Sequence, residues 1–316
     1  MPSVRKAVAV VAVLAAAGST TASARSVEVY AAPGPAPELS AATLDARFQG
    51  TRREISRALA TAEHFHDDDR TRTLSALLAK DRRFLSFDPR GDGRAVEVIG
   101  DLRHADRIAV VVPGADNTLT NYNAPKFVGG DSRALYRQAQ ARARGTRFAV
   151  IAWLGYDSPS MLSTDVLTAG HAEDGARSLG RLLTGLHRVN GHARFALLCH
   201  SYGSVVCAKA ARPLASLPVD EIALYGSPGT TADNAADLGT SARVWAGRAK
   251  GDWTRYVPNF RFAGLGFGAD PVSSGFGALR FDAGTGPHSG YLKPGSLALR
   301  NLALIALGRD AEVTRA

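Results

Sequence analysis

Ser201 stands in the pentapeptide Cys199-His200-Ser201-Tyr202-Gly203. An apolar run from Phe195 to Cys199 precedes it, and Ser204, Val205, Val206, Ala208, Ala210 and Ala211 follow. The first run reads as a buried strand and the second as a helix. A serine on a sharp turn between such elements has its Oγ pushed clear of the sheet. The amide after it, at the helix N-terminus, can then receive an oxyanion. The usual pattern for this turn is G-x-S-x-G; here the second glycine is kept and Cys199 replaces the first. The bare pattern is common, so its weight comes from the residues that follow it.

A serine hydroxyl is a poor nucleophile near neutrality and needs a histidine to take its proton and an acid to orient that histidine. Of eight histidines, only His288 follows Ser201, on a glycine-rich loop before the final helix. Asp252 is the first choice for the acid, in the Lys250-Gly251-Asp252 turn after the strand Ala242 to Gly247. Asp233 occupies a rival position after the preceding strand, and Asp270 and Asp282 are further options. The amide of Tyr202 and that of Ala115, on the loop after the strand Arg107 to Val112, are the candidate oxyanion donors. Asp116 and Asn117 line the pocket in this reading, and Tyr156, Asp157 and Trp253 form its rim.

The elements that must position these residues alternate. Arg83 to Phe87 and Ala95 to Ile99 flank a turn-rich segment, Asp88 to Gly93, and read as a β-hairpin. Arg90-Gly91-Asp92 within it is explained by turn chemistry. Arg107 to Val112 and Phe148 to Trp153 are continuous apolar runs, as expected of central parallel strands. Helices are expected over Arg133 to Arg144, His171 to Val189 and Pro294 to Leu307. Glu221 to Tyr225, Ala242 to Gly247 and Ala278 to Phe281 complete the strands. The result is an α/β chain with a mostly parallel sheet, an antiparallel N-terminal hairpin and helices on both faces. Upstream, Leu44, Phe48, Ile55, Leu59 and Ala62 keep helical spacing in a charged arm over 38–80, with a second helix from Thr71 to Lys80. That arm has too little apolar content to stand alone. His64 to Asp69 reads as a solvated loop between its helices. The segment from Trp153 to Gly170 is a short cap.

The 316 residues are 45% hydrophobic and 21% charged, which is globular composition. Arg5 and Lys6, the apolar run Ala7 to Ala17 and Ala22-Ser23-Ala24 make residues 1–24 a secretory signal peptide cleaved after Ala24. Residues 25–37, with Pro33, Pro35 and Pro37, are a linker. Removing the leader lowers the formal charge from +9 to +7. That charge is spread along the chain without a basic block, which argues against nucleic-acid binding. The mature protein is expected to be exported, monomeric and not inserted in a membrane. No cofactor or metal is expected, because no second Cys/His cluster has ligand spacing. Cys199 and Cys207 are either one disulfide or two buried thiols; the spacing does not decide between them.

The chain resembles the alpha/beta hydrolases, and more narrowly a secreted bacterial group known only as a hydrolase domain of unknown function. The resemblance rests on Leu85-Ser86-Phe87-Asp88-Pro89, Ile99-Gly100-Asp101-Leu102, Val111-Val112-Pro113-Gly114, Trp153-Leu154-Gly155-Tyr156-Asp157, His200-Ser201-Tyr202-Gly203-Ser204, Gly226-Ser227-Pro228-Gly229 and His288-Ser289-Gly290-Tyr291-Leu292. It implies an alpha/beta-hydrolase fold over 81–316, Ser201 as nucleophile, His288 as base and Asp252 as acid. Cys199 departs from the general pattern, and its side chain must either pack beside the turn or bridge to Cys207.

Together these readings give a secreted serine hydrolase, esterase-like rather than a peptidase, acting on a small ester, thioester or amide through an acyl-enzyme. An acyltransferase would use the same residues, and a hydrolase scaffold can also carry a non-catalytic binding protein. The discriminator is geometric: catalysis needs His288 Nε2 within about 3.2 Å of Ser201 Oγ.

Overall fold

The computed structural model describes residues 28–143, 145–161, 170–258 and 266–316. The expected signal peptide 1–24, part of the expected linker, 162–169 of the expected cap segment and residues 144 and 259–265 lie outside them.

Eight strands form one sheet: β1 (Arg83–Asp88), β2 (Arg94–Ile99), β3 (Arg107–Val112), β4 (Phe148–Leu154), β5 (Arg194–His200), β6 (Val219–Tyr225), β7 (Arg243–Gly247) and β8 (Leu279–Arg280). Their order is β1-β2-β4-β3-β5-β6-β7-β8. β1 and β2 are the expected antiparallel hairpin, and β2 also pairs antiparallel with β4; every other neighbouring pair is parallel. Among the described residues there are six α-helices: α1 (Leu44–His64), α2 (Asp68–Leu77), α3 (Val128–Gln140), α4 (Gly170–Val189), α5 (Gly203–Ala211) and α6 (Leu297–Ala306).

Strand side chains alternate between faces, so each central strand feeds two cores. Ala109 and Val111 of β3 join Val150 and Leu198 on the face covered by α3 and α6, with Leu135 and Leu302. Ile108, Val110 and Val112 join Ile151 and Leu197 on the other face, under Leu179, Leu183 and Leu186 of α4 and Val205 and Val206 of α5. All seven residues of β4 are buried, which is why its sequence shows no polar alternation. The helical arm packs on this body: Ile55, Ala58 and Ala62 of α1 and Leu74 and Leu77 of α2 share a core with Phe84 and Phe87 of β1.

Several boundaries differ from the sequence expectations for identifiable reasons. α2 starts at Asp68 rather than Thr71, because Asp67 caps it by accepting the Arg70 amide at 3.0 Å. Asp68 and Asp69, read as loop, form its first turn and favour the positive end of the helix dipole. α3 starts at Val128 rather than Arg133. Its first amide donates to Asn117 Oδ1 at 3.0 Å, a cap supplied from a distant loop. α6 starts at Leu297 because Ser296 caps the Leu299 amide, leaving Pro294 outside. Arg90 of the hairpin turn folds back onto Asp88, with Nε and Nη2 donating at 3.0 and 2.8 Å, so the Arg-Gly-Asp triplet is part of a turn network.

Candidate active site

The parallel strands end on one side of the sheet, and the loops leaving those ends carry the candidate residues. β5 ends at His200 and α5 begins at Gly203, so Ser201 occupies the turn itself. Its φ is +51°, a left-handed backbone that a non-glycine residue seldom adopts. The turn is held from both sides: the Ser201 amide donates to the Tyr225 carbonyl of β6 at 3.0 Å, and the Ser204 amide donates to the Ser201 carbonyl at 2.9 Å. Gly203 must be glycine. A Cβ there would lie 2.6 and 2.7 Å from the carbonyl oxygens of Pro113 and Val112.

Cys199 and Cys207 form a disulfide with Cα atoms 6.4 Å apart. Both are fully buried. The bridge occupies the space where the usual pattern has glycine and ties the end of β5 to the second turn of α5. Of the two alternatives that spacing left open, the fold takes the bridge.

His288 follows β8 and presents Nε2 to Ser201 Oγ at 3.0 Å. Its Nδ1 lies 2.9 and 3.0 Å from the two oxygens of Asp252. With the Nδ1 proton donated to that carboxylate, Nε2 is left as the acceptor for the serine hydroxyl. Asp252 is fully buried and Ser201 is 5% exposed. The carboxylate also accepts the Thr254 amide at 2.8 Å and the Tyr291 hydroxyl at 2.5 Å. Burial alone would raise its pKa. The hydrogen bond and field of His288, with the Tyr291 and Thr254 bonds, outweigh that and hold it well below the usual carboxylate range. Asp233 is exposed, Asp270 pairs with Arg248, and Asp282 accepts the Gly284 amide.

The loop after β3 reaches the same point. A Cβ added to Gly114 would lie 2.7 Å from Ser201 Cβ, so only glycine allows this approach. The loop's carbonyls are tied back: Pro113 O accepts Tyr156 OH at 2.8 Å, Gly114 O accepts Ser158 Oγ at 2.7 Å, and Ala115 O accepts Asn117 Nδ2 at 3.2 Å. In a trans peptide the N–H points opposite to the C=O. The Ala115 amide is therefore aimed away from Ser158. Tyr156, expected on the rim, is instead buried: its ring stacks on Trp153 and its hydroxyl holds Pro113. Asp157 is exposed. Trp253 is half-exposed, with its ring centroid 4.7 Å from that of His288. The Tyr202 ring is buried, and its hydroxyl accepts the Ala172 amide at 3.2 Å.

Sequence reasoning missed two residues that shape this site. Tyr291 lies three positions after His288 and braces Asp252 while its oxygen accepts the Ala249 amide at 3.0 Å. His200 donates Nε2–H to the His288 carbonyl at 2.9 Å and packs against the rings of His288 and Tyr225. The adjacent sequence positions, His200 beside Ser201 and Tyr291 near His288, were the available signal. Burial, and then the field of His288, push the His200 pKa down to about 3. Its folded pKa lies below the unfolded value of about 6.5, so acid favours the unfolded chain. Between pH 6.5 and 4 this one group should cost on the order of 3 kcal/mol. Urea midpoints measured across that range should fall steeply in the wild type and more shallowly in His200→Asn. An unchanged slope in the variant would remove His200 from the account.

Among the described residues no group of His, Cys, Asp or Glu is arranged to hold a metal, and no helix is long and apolar enough to cross a membrane.

Residues 88–262 match a family described as alpha/beta hydrolase. An uncharacterized protein of Mycobacterium tuberculosis is 34% identical over 263 residues, covering 71% of this chain and 39% of the relative. An uncharacterized protein of Mycobacterium bovis is 37% identical over 159 residues, covering 48% of this chain and 58% of the relative. The chain thus spans less than two thirds of the length of either. Among solved structures, a CIB-like hydrolase from Thermoplasma acidophilum has a TM-score of 0.45 at 14% identity, covering 72% of this chain and 96% of that one.

Proposed function

The chain belongs to the alpha/beta hydrolase family, and from that premise we propose that it is an exported serine hydrolase that cleaves carboxylic esters through an acyl-enzyme. One observation carries the reading: His288 bridges Ser201 Oγ and the Asp252 carboxylate through hydrogen bonds of 3.0 and 2.9 Å. A binding protein has no need of an imidazole held in that tautomer against a hydroxyl on a left-handed turn.

In this reading Ser201 Oγ attacks the acyl carbon while its proton passes to His288 Nε2. Asp252 stabilises the imidazolium, and its depressed pKa keeps it ionised for that role. The negative charge on the former carbonyl oxygen falls to the amides of Tyr202 and Ala115. The tied-back Gly114 carbonyl supports the Ala115 assignment, since it shares a peptide plane with the Ala115 amide and fixes it before substrate arrives. Nε2 then gives its proton to the departing oxygen as the carbon–oxygen bond breaks, and water repeats the sequence to release the acid. Thioesters and amides would follow the same path. The leader-like N-terminus and the buried disulfide support export to an oxidising compartment.

A fluorophosphonate probe should label the wild-type protein at a single site and leave Ser201→Ala unlabelled, read by gel fluorescence and mass spectrometry. Labelling that persists in Ser201→Ala would overturn the assignment. p-Nitrophenyl esters of graded acyl length would then define the acyl preference.

A further inference from the structure

A short 3-10 turn, Trp253–Tyr256, follows Asp252 directly. It leaves two large rings in solvent, Trp253 at 39% and Tyr256 at 67% exposure. Residues i and i+3 eclipse in such a turn, so both rings stand on the same side of it. Thr254, between them, is buried and anchors the turn through the bond from its amide to Asp252. The backbone that seats the acid therefore also fixes the rings at the surface.

Trp253 packs against His288, with centroids 4.7 Å apart and planes inclined at 50°. That imidazole is already held by Asp252, Ser201 and the His200 ring. A half-exposed indole adds little to its placement, but it lies against the ring that hands over a proton. On the serine-hydrolase reading above, the departing oxygen must come within about 3 Å of His288 Nε2. Whatever that oxygen carries therefore leaves past the His288 ring, against which Trp253 packs, and the acyl chain leaves in another direction.

We propose that Trp253, extended by Tyr256, is the leaving-group subsite, and that the natural substrates are esters of aromatic or otherwise extended apolar alcohols. In the acylation step the bond from Ser201 Oγ to the acyl carbon forms and the bond from that carbon to the alcohol oxygen breaks. The serine proton reaches the alcohol oxygen through Nε2. The freed alcohol stays on the two rings until it diffuses away. Aromatic faces reward flat and apolar partners beyond simple area burial, so the subsite selects by the alcohol rather than by the acid.

The test compares 2-naphthyl acetate with ethyl acetate, which give the same acetyl-enzyme and differ only in the alcohol. Each kcat/KM is divided by the rate of hydroxide-catalysed hydrolysis to remove intrinsic reactivity. The wild-type protein should favour the naphthyl ester at least tenfold. Trp253→Ala should lower that preference about tenfold, Tyr256→Ala should lower it less, and Trp253→Phe should keep most of it. An unchanged preference in Trp253→Ala overturns the proposal. So does an equal fall for both esters, which would mean that the ring only props His288. A binding measurement separates this from the serine chemistry. Ser201→Ala should bind 2-naphthol, read by the naphthol's fluorescence, and Trp253→Ala in that background should weaken binding about tenfold. Failure of 2-naphthol to bind overturns the subsite, whereas fluorophosphonate labelling of Ser201→Ala overturns the reading beneath it.

Discussion

Replacing His288 by alanine is expected to lower kcat on p-nitrophenyl acetate by about 10⁵-fold, and adding Ser201→Ala to that variant should cost nothing more. The two groups act as one unit, so losing either removes nearly all of what they do together. The geometry makes the prediction sharp. Ser201 Oγ meets His288 Nε2 at 3.0 Å, and the next histidine, His200, has its Nε2 committed to a carbonyl. Asp252→Asn should cost about 10⁴-fold by a different route. Its amide would offer an N–H to Nδ1 and so place the imidazole proton on Nε2, where the serine needs an acceptor. Because Asn and Asp are nearly isosteric, fluorophosphonate labelling of this variant should be slowed rather than abolished. Rates measured at saturating ester, with active sites counted by the probe, decide the matter. A loss below tenfold in either variant would mean that the three residues adjoin without acting together.

Gly203→Ala is expected to lower stability by about 3–5 kcal/mol, because the added methyl meets backbone rather than movable side chains. Its Cβ would fall 2.6 Å from Pro113 O and 2.7 Å from Val112 O. Relief requires α5 to move away from β3 or the loop after β3 to move away from Ser201. Either motion also spoils the approach of Gly114 to the serine. The melting temperature should fall by about 10 °C, together with labelling by the probe. Gly180→Ala is the control: this glycine lies within α4, and a Cβ there meets nothing within 4 Å. That variant should gain up to about 1 kcal/mol from helix propensity. Equal midpoints for the two variants would refute the steric argument.

How much of this could be read from the chain depended on the range of each interaction. Apolar runs such as Arg107–Val112 and Phe148–Trp153 declare central strands because burial on both faces leaves a local mark. The order of Ser201 and His288 was legible because strand ends alternate with loops along the sequence, whereas position left both Asp252 and Asp233 open as the acid. The partners that refine the site left no such mark. Tyr156 reads as a rim residue by position, yet its ring stacks on Trp153 and its hydroxyl holds Pro113, a contact across 43 residues. The cap on α3 comes from Asn117, so the local sequence at Phe127 carries no stop or start signal. The pairing of β2 with β4, ahead of β3, is likewise a fact of three dimensions. Spacing could pose the question of Cys199 and Cys207 but not answer it, since the answer depends on where the first turns of α5 sit.

That bridge bears on how the enzyme is made. Both sulfurs are sealed from solvent by the same packing that seats the turn carrying Ser201. An oxidant therefore reaches them only while the packing of α5 on the sheet is open. A chain that matures in a reducing compartment would close over two thiols, and no later change of surroundings would reach them without opening the core. The turn that carries Ser201 would thus keep the thiol or disulfide form it held when the chain became compact until that core opened, so the compartment of production would set its chemical form.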